Sequence, residues 1–384
     1  RSNSYFWIQV VTHKSCRRYR WICHYSPPVK AKISGKFTNS SFCKKFWSKG
    51  GAARLRDMRL LDGKINAEVW QQAIEAGWIA ILSSEASGGL GLGMTEICLV
   101  TEELGKGLVP EPVAAVAATA AAMGDRAGEV IRGTSIVLPA LMEGPRAIGD
   151  ERPAVTAEPN GETITLDGLK TGVPVPSDVG QFLVSAAAPD GVVLALVESD
   201  DVDITCTATI DGTSTGSIVL NGSMASKLAG PNESETQIAR LLDALHLSNS
   251  AELLGVMEAA QDITLEYLKT REQFNRPIGS FQVLQHRMVD NLANIEMCRS
   301  LIYQAAGALD GGGGAPGLVS AALSRTSKTA LDVCKSAIQM HGGIGFTDEH
   351  DIGLYLKRAM TLASRYGNAG LHRKRYAEFV EGHD

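Results

Sequence analysis

The apolar pattern of this chain changes its period twice, and that change limits the folds open to it. From residue 67 onward hydrophobic positions recur at three and four residue steps, beginning with Val69, Ala73, Ile74 and Trp78, and Gly77 lies near the end of that helix. Residues 94–108 and 112–123 read as further helices, the second Ala-rich enough to pack closely against a neighbour. Between about 134 and 230 the period falls to two. Short β-branched runs at 135–138, 163–166, 181–186, 192–197 and 216–220 are separated by Gly, Asp, Pro and Asn, which predicts a compact antiparallel β unit. Beyond 235 the helical period returns. Met288, Leu292, Ile295, Cys298 and Ile302 share one stripe, residues 318–341 form another helix, and Gly311 to Gly314 give a flexible connection between the two. Helices, then strands, then helices predict an α+β chain rather than alternating βαβ units. The expected units are an N-terminal helical domain at 57–133, a middle β domain at 134–232 and a C-terminal helical bundle at 233–384.

At 384 residues, 44% hydrophobic, the chain can bury a large core. No apolar run reaches the length that a membrane helix needs, which argues against a membrane partner. The seven cysteines are scattered, with no CxxC pair and no Cys/His cluster, so a reducing, cytoplasmic setting without a structural metal is expected. Charge is uneven. Residues 1–56 hold 13 Lys and Arg and no Asp or Glu, leaving the remainder near −18. Such a head can be a nucleic-acid arm or a transit peptide. It shows no amphipathic period and stops abruptly near 55–61, so it is read as disordered or artefactual sequence outside the folded body. An acidic body argues against nucleic acid as a partner. The turn from Ser87 to Gly93 is glycine-rich, yet its spacing is not GxGxxG and no strand precedes it.

Two C-terminal segments are specific. One runs Thr270-Arg271-Glu272-Gln273-Phe274-Asn275-Arg276-Pro277-Ile278-Gly279-Ser280-Phe281-Gln282, and the other Gln339-Met340-His341-Gly342-Gly343-Ile344-Gly345-Phe346. In this order and separation they resemble the paired signatures of the acyl-CoA dehydrogenase family, over roughly residues 57–384. Taken singly, Arg271 is equally a solvated helix-end charge, the glycines a C-cap and the phenylalanines core. The resemblance implies an acyl-CoA dehydrogenase-like fold and an FAD cofactor. Arg271 then offers a permanently charged donor fork to the pyrophosphate, Gly342 and Gly343 let backbone approach the cofactor, and Gln273, Gln282 and Gln339 offer hydrogen bonds. Phe274 and Phe281 supply apolar walls. The implied reaction is α,β-dehydrogenation of an acyl-CoA thioester, in which a carboxylate takes the α proton, a hydride passes to flavin, and an electron-transfer flavoprotein is the acceptor.

The sequence departs from the family where a base is needed. The stretch matching Tyr-Glu-Gly-Thr reads Tyr366-Gly367-Asn368-Ala369, so the base position is Gly367; the alternative position, in a segment resembling Asp-x-x-Arg, is Leu245 within Asp243-Ala244-Leu245-His246. No base is assigned. Asp243 and His246 are each read as a surface or CoA-facing residue, hence as candidate substrate contacts, and Glu252 is the other nearby carboxylate. The flavin-ring contacts change as well. A Tyr-x-x-Thr-Glu strand becomes Ala140-Leu141-Met142-Glu143 with a shortened following loop, and a Trp-x-Thr becomes Gly172-Val173-Pro174. In the family the Arg and Gly-Gly segments reach a neighbouring subunit's FAD. The resemblance therefore leaves two readings open. One is a homo-oligomeric enzyme; the other is the non-catalytic subunit of a heteromeric acyl-CoA dehydrogenase, as in certain bacterial enzymes acting on steroid side chains and other bulky acyl groups.

Overall fold

The computed structural model describes residues 65–144, 152–160, 163–175 and 178–381, together with Ala52, Leu55 and Arg56. The basic head thus falls almost wholly outside the described residues, as does most of the loop that follows Glu143. Helix α1 (Ala67–Glu75) starts at Asn66, whose side chain accepts from the Val69 N–H at 3.0 Å. It ends before Gly77, which takes φ +76°, and Trp78 is buried in the turn beyond. The glycine-rich segment folds back on residues 80–83 through backbone bonds such as Leu92 N–H to Ile81 O at 3.0 Å, and is a connection rather than a phosphate loop. It delivers the chain to α2 (Met94–Lys106), followed by the Ala-rich α3 (Val113–Met123) and a single turn α4 (Gly128–Ile131).

Seven strands follow: β1 (Val137–Ala140), β2 (Thr156–Asn160), β3 (Thr163–Val173), β4 (Gln181–Ala188), β5 (Gly191–Glu198), β6 (Asp203–Ala208) and β7 (Ser214–Ala229). Pairings β4–β2, β2–β3, β3–β7, β7–β5 and β5–β4 close the sheet on itself, with β1 beside β4 and β6 beside β7. Most are antiparallel, as expected. Two are not: β1 runs parallel to β4 (Val137↔Gln181 to Ala140↔Val184), and β2 meets β4 in parallel at Thr156↔Ala187. Strand β1 reaches β4 by a long crossover, not a hairpin, so nothing forces the antiparallel sense. Strands β2 and β6 fall outside the runs the sequence marks; β6 is almost wholly exposed.

Helix α5 (Pro231–Thr270) is the spine of the C-terminal part. It opens with Pro at its first position, after Gly230, and its 40 residues cross α2, α6 (Gln282–Asp310) and α7 (Pro316–His341). Helices α8 (Ile352–Leu362) and α9 (Ala369–Glu381) complete the bundle. The α2 and α5 backbones approach through paired glycines: a Cβ on Gly105 would strike the Glu252 carbonyl, and one on Gly255 would strike that of Glu102. Beside this crossing lies a buried ion network in which Lys106 and Arg299 meet Glu102 and Glu258. Asp310, ending α6, accepts from the Met94 and Thr95 N–H groups at 2.5 and 3.0 Å, placing a carboxylate at the positive end of the α2 dipole. One hydrophobic core runs continuously through the helical and β parts.

Candidate functional site

The two signature segments meet at one end of the bundle. Met340 of the second packs with Leu268 and Met288, and Ile278 of the first packs against the same small cluster. Tyr267, near the end of α5, stacks on His341 with ring centroids 4.4 Å apart and donates its hydroxyl to the His341 carbonyl at 3.3 Å. Burial and the neighbouring His350 ring together hold the His341 imidazole below its usual range, against the opposing effect of its bond to the Ala337 carbonyl.

Beyond Thr270 the chain forms a two-residue hairpin, in which strand β8 (Glu272–Gln273) pairs with β9 (Arg276–Pro277). Phe274 and Asn275 take φ +54° and +59°, the left-handed pair that a tight hairpin requires. The turn holds Phe274 out, 85% exposed, with its ring edge-on to Phe281 at 6.0 Å, and Arg276 lies 4.1 Å over the Phe281 ring. Arg271, Gln273, Gln282, Gln339, Gly342 and Gly343 are all exposed on this end, with Phe281 half-buried. Phe346, in the second segment, is likewise 81% exposed. Gly342 takes φ +66°, which explains its lack of a side chain. At Gly343 neither backbone strain nor a neighbour does so, because an added Cβ would meet nothing within 4 Å.

The positions read as the chain's own base lie elsewhere. Leu245 and Tyr366, the residue before Gly367, line a solvent-open cleft between α2, α3 and α5, together with Val113, Pro174 and Glu252. Leu245 and Gly367 are buried, and Gly367 takes φ +89°. From Leu245 to Thr270 the rise along α5 is about 38 Å. The signature face and the cleft are thus well separated along α5.

Asp243 and His246 are inside the protein rather than at its surface. His246 is fully buried, 4.8 Å from the His372 ring and 6.0 Å from that of Tyr366. Asp243 is 9% exposed; burial pushes its carboxyl up to about 6, although Arg375 opposes the shift. Glu252 is engaged: Arg358 Nε donates to its Oε1 at 3.0 Å, and Arg365 lies 3.8 Å from Oε2. Arg358 and Arg365 carry no motif of their own, since their partners lie more than a hundred residues away in sequence. In the β part, Gly172 has φ +69°, and an added Cβ there would lie 3.0 Å from Met142 Cε. Met142 thus stands beside the position where the family places an indole. Glu143 is retained, accepting from Lys170 Nζ at 2.6 Å and from the Ala154 and Val155 N–H groups.

Comparison with known proteins agrees with this geometry. Residues 236–380 match the family model of the acyl-CoA dehydrogenase C-terminal domain, and residues 41–129 that of the N-terminal domain. The acyl-CoA dehydrogenase IpdE2 of Mycolicibacterium smegmatis is 30% identical over 304 residues, covering 78% of this chain and 83% of that protein. Among solved structures, the Tcur3481-Tcur3483 steroid ACAD G363A variant superposes with a TM-score of 0.82 at 28% identity, covering 89% of this chain and 96% of the other. The ChsE4-ChsE5 complex of Mycobacterium tuberculosis superposes with 0.78 at 27% identity, covering 89% and 96%. With both ends of the family pattern matched and most of the chain aligned to a named member, this protein belongs to the acyl-CoA dehydrogenase family.

Proposed function

We propose that this chain is the non-catalytic subunit of a heteromeric acyl-CoA dehydrogenase, completing the FAD site of a partner chain of the same fold that carries the base. The observation that carries the reading is the outward-facing signature surface at the far end of α5 from a cleft whose base positions are Gly367 and Leu245. Arg271 has no carboxylate within ion-pairing distance among the described residues, and so keeps its guanidinium for a diphosphate. Gly343 leaves space that nothing among the described residues fills, and Gln273, Gln282 and Gln339 are exposed hydrogen-bonding groups of the same two segments. Bound FAD would accept the hydride from the acyl β carbon, and the assembly would pass electrons to an electron-transfer flavoprotein. Asp243 and His246, both buried, are not among the residues that line the cleft, so neither is proposed as a substrate contact.

A second reading, a homo-oligomeric FAD-dependent acyl-CoA dehydrogenase, is favoured by one observation: Glu252 lines the cleft. Its commitment to Arg358 and Arg365 argues against it as a proton acceptor. The experiment is to purify the chain alone and co-expressed with a base-carrying acyl-CoA dehydrogenase chain. The subunit reading expects little flavin alone and a full, acyl-CoA-bleachable complement in the assembly. A yellow chain that bleaches alone, and ceases to bleach as Glu252→Gln, establishes the second reading instead.

A further inference from the structure

The wall of the cleft is apolar along Leu104, Val109, Val113 and Leu245, but α5 also brings Ser248 and Asn249 to it. Both are only 3% exposed. Asn249 Nδ2 donates to the Leu362 carbonyl at 2.9 Å, which fixes the amide and leaves Oδ1 buried with no hydrogen-bond partner among the described residues. Ser248 Oγ is buried without a partner as well. Ser250, Thr264 and Thr101 satisfy their hydroxyls on a carbonyl one turn back, at 2.9 Å on His246, 2.7 Å on Ala260 and 2.8 Å on Ile97. Ser248 does not, as Thr326, Ser327 and Thr361 do not elsewhere in the bundle, but of these four only Ser248 lines the cleft. A buried polar atom left unpaired costs about 1–3 kcal/mol, and two adjacent ones, in a wall that also carries Thr101, Glu111, Glu252 and Arg365 beside its apolar residues, are complementary to a ligand that brings the missing partner.

We infer that the cleft of this chain binds an acyl group of hydrocarbon character bearing a hydroxyl, whose O–H donates to Asn249 Oδ1 and whose oxygen accepts from Ser248 Oγ. The inference rests on reading the cleft as an acyl-CoA cleft and adds a substrate class to it. Because Gly367 and Leu245 offer no base, the group is held here without being oxidised. A site that hydrogen-bonds a ligand hydroxyl discriminates strongly against the analogue lacking it, since its own polar groups are then stranded.

The test uses the full chain, alone and in its co-expressed assembly, and measures binding of saturated acyl-CoAs of increasing length, each with and without a terminal hydroxyl, by calorimetry. At the length that places the hydroxyl beside Asn249, the hydroxylated thioester is expected to bind about tenfold more tightly. Ser248→Ala, which removes no recorded hydrogen bond, should shrink that preference several-fold. Asn249→Leu should abolish it while leaving the unsubstituted thioester bound as well or better. Should Asn249→Leu fail to fold, Ser248→Ala decides alone. Equal affinities at every length overturn the hydroxyl assignment and leave the acyl-CoA cleft standing. Binding of neither thioester, in either form of the protein, overturns both.

Discussion

Arg358 donates through Nη1 to Asp211 Oδ2 at 2.8 Å, so a guanidinium buried in the C-terminal bundle is paired with a carboxylate buried in a turn of the β part. The same side chain holds Glu252 at the cleft and donates to the Val109 carbonyl at 3.2 Å. Burial opposes the charge on Asp211, but Arg358 and the Thr209 hydroxyl outweigh it and hold the carboxyl well below the usual range.

Arg358→Met removes the cation from between two carboxylates, stranding the buried Asp211 and leaving Glu252 with Arg365 at 3.8 Å. Breaking a buried pair in this way costs about 3–5 kcal/mol, and urea unfolding of the variant should show a loss of that order. A loss under about 1 kcal/mol would show that the network contributes little.

Asp243 sets a pH dependence of the opposite sign. In the folded chain its carboxyl keeps its proton up to about 6, whereas in the unfolded chain it is released near 3.8. The folded state therefore binds the extra proton across that window, and its stability falls as pH rises through it. Asp243→Asn should remove this slope, matching the parent near pH 4 and exceeding it by up to about 3 kcal/mol at pH 7. Parallel stability-versus-pH curves for parent and variant would refute the assignment.

The crossing of α2 and α5 depends on glycines that face backbone, not movable side chains. Gly255→Ala places a methyl group against the Glu102 carbonyl, and relief requires the two helices to part. Overpacking of this kind costs about 3 kcal/mol at its upper end. Gly307→Ala, where an added Cβ meets nothing within 4 Å, is the control and should be as stable as the parent.

Arg271→Ala and Gly343→Ala separate stability from cofactor retention. Both residues are exposed and neither packs within the chain, so thermal unfolding of the isolated protein should be unchanged. In the co-expressed assembly Arg271→Ala should weaken flavin retention by about tenfold or more, the worth of a lost charge-assisted bond, and Gly343→Ala should weaken it by steric exclusion. Unchanged flavin content in both variants would remove the basis of the proposed function.

Much of this was legible in the sequence because it is carried by local signals. The change from helical to alternating period marks α1 to α3, the β part and α5 to α7, and the motif from Arg271 to Gln282 marks the end of α5 and the start of α6, though not the hairpin between them. Strand β6 escaped because nearly all of it faces solvent and shows no buried stripe, and the parallel sense of β1 escaped because pairing direction follows the route of the chain. The burial of Asp243 and His246 was hidden by their polarity. The engagement of Glu252 was hidden because Arg358 lies 106 residues further on. The orphaned oxygens of Ser248 and Asn249 leave no mark in a one-dimensional pattern, since they are defined by bonds that are not made.

The solvent-facing rings of Phe274 and Phe346 carry a cost outside the molecule. A chain made faster than whatever covers them would circulate with an adhesive end, and would meet its own copies first. If the proposed subunit reading holds, matched synthesis of this chain and its companion would protect the cell from clumping as much as it would assemble an enzyme.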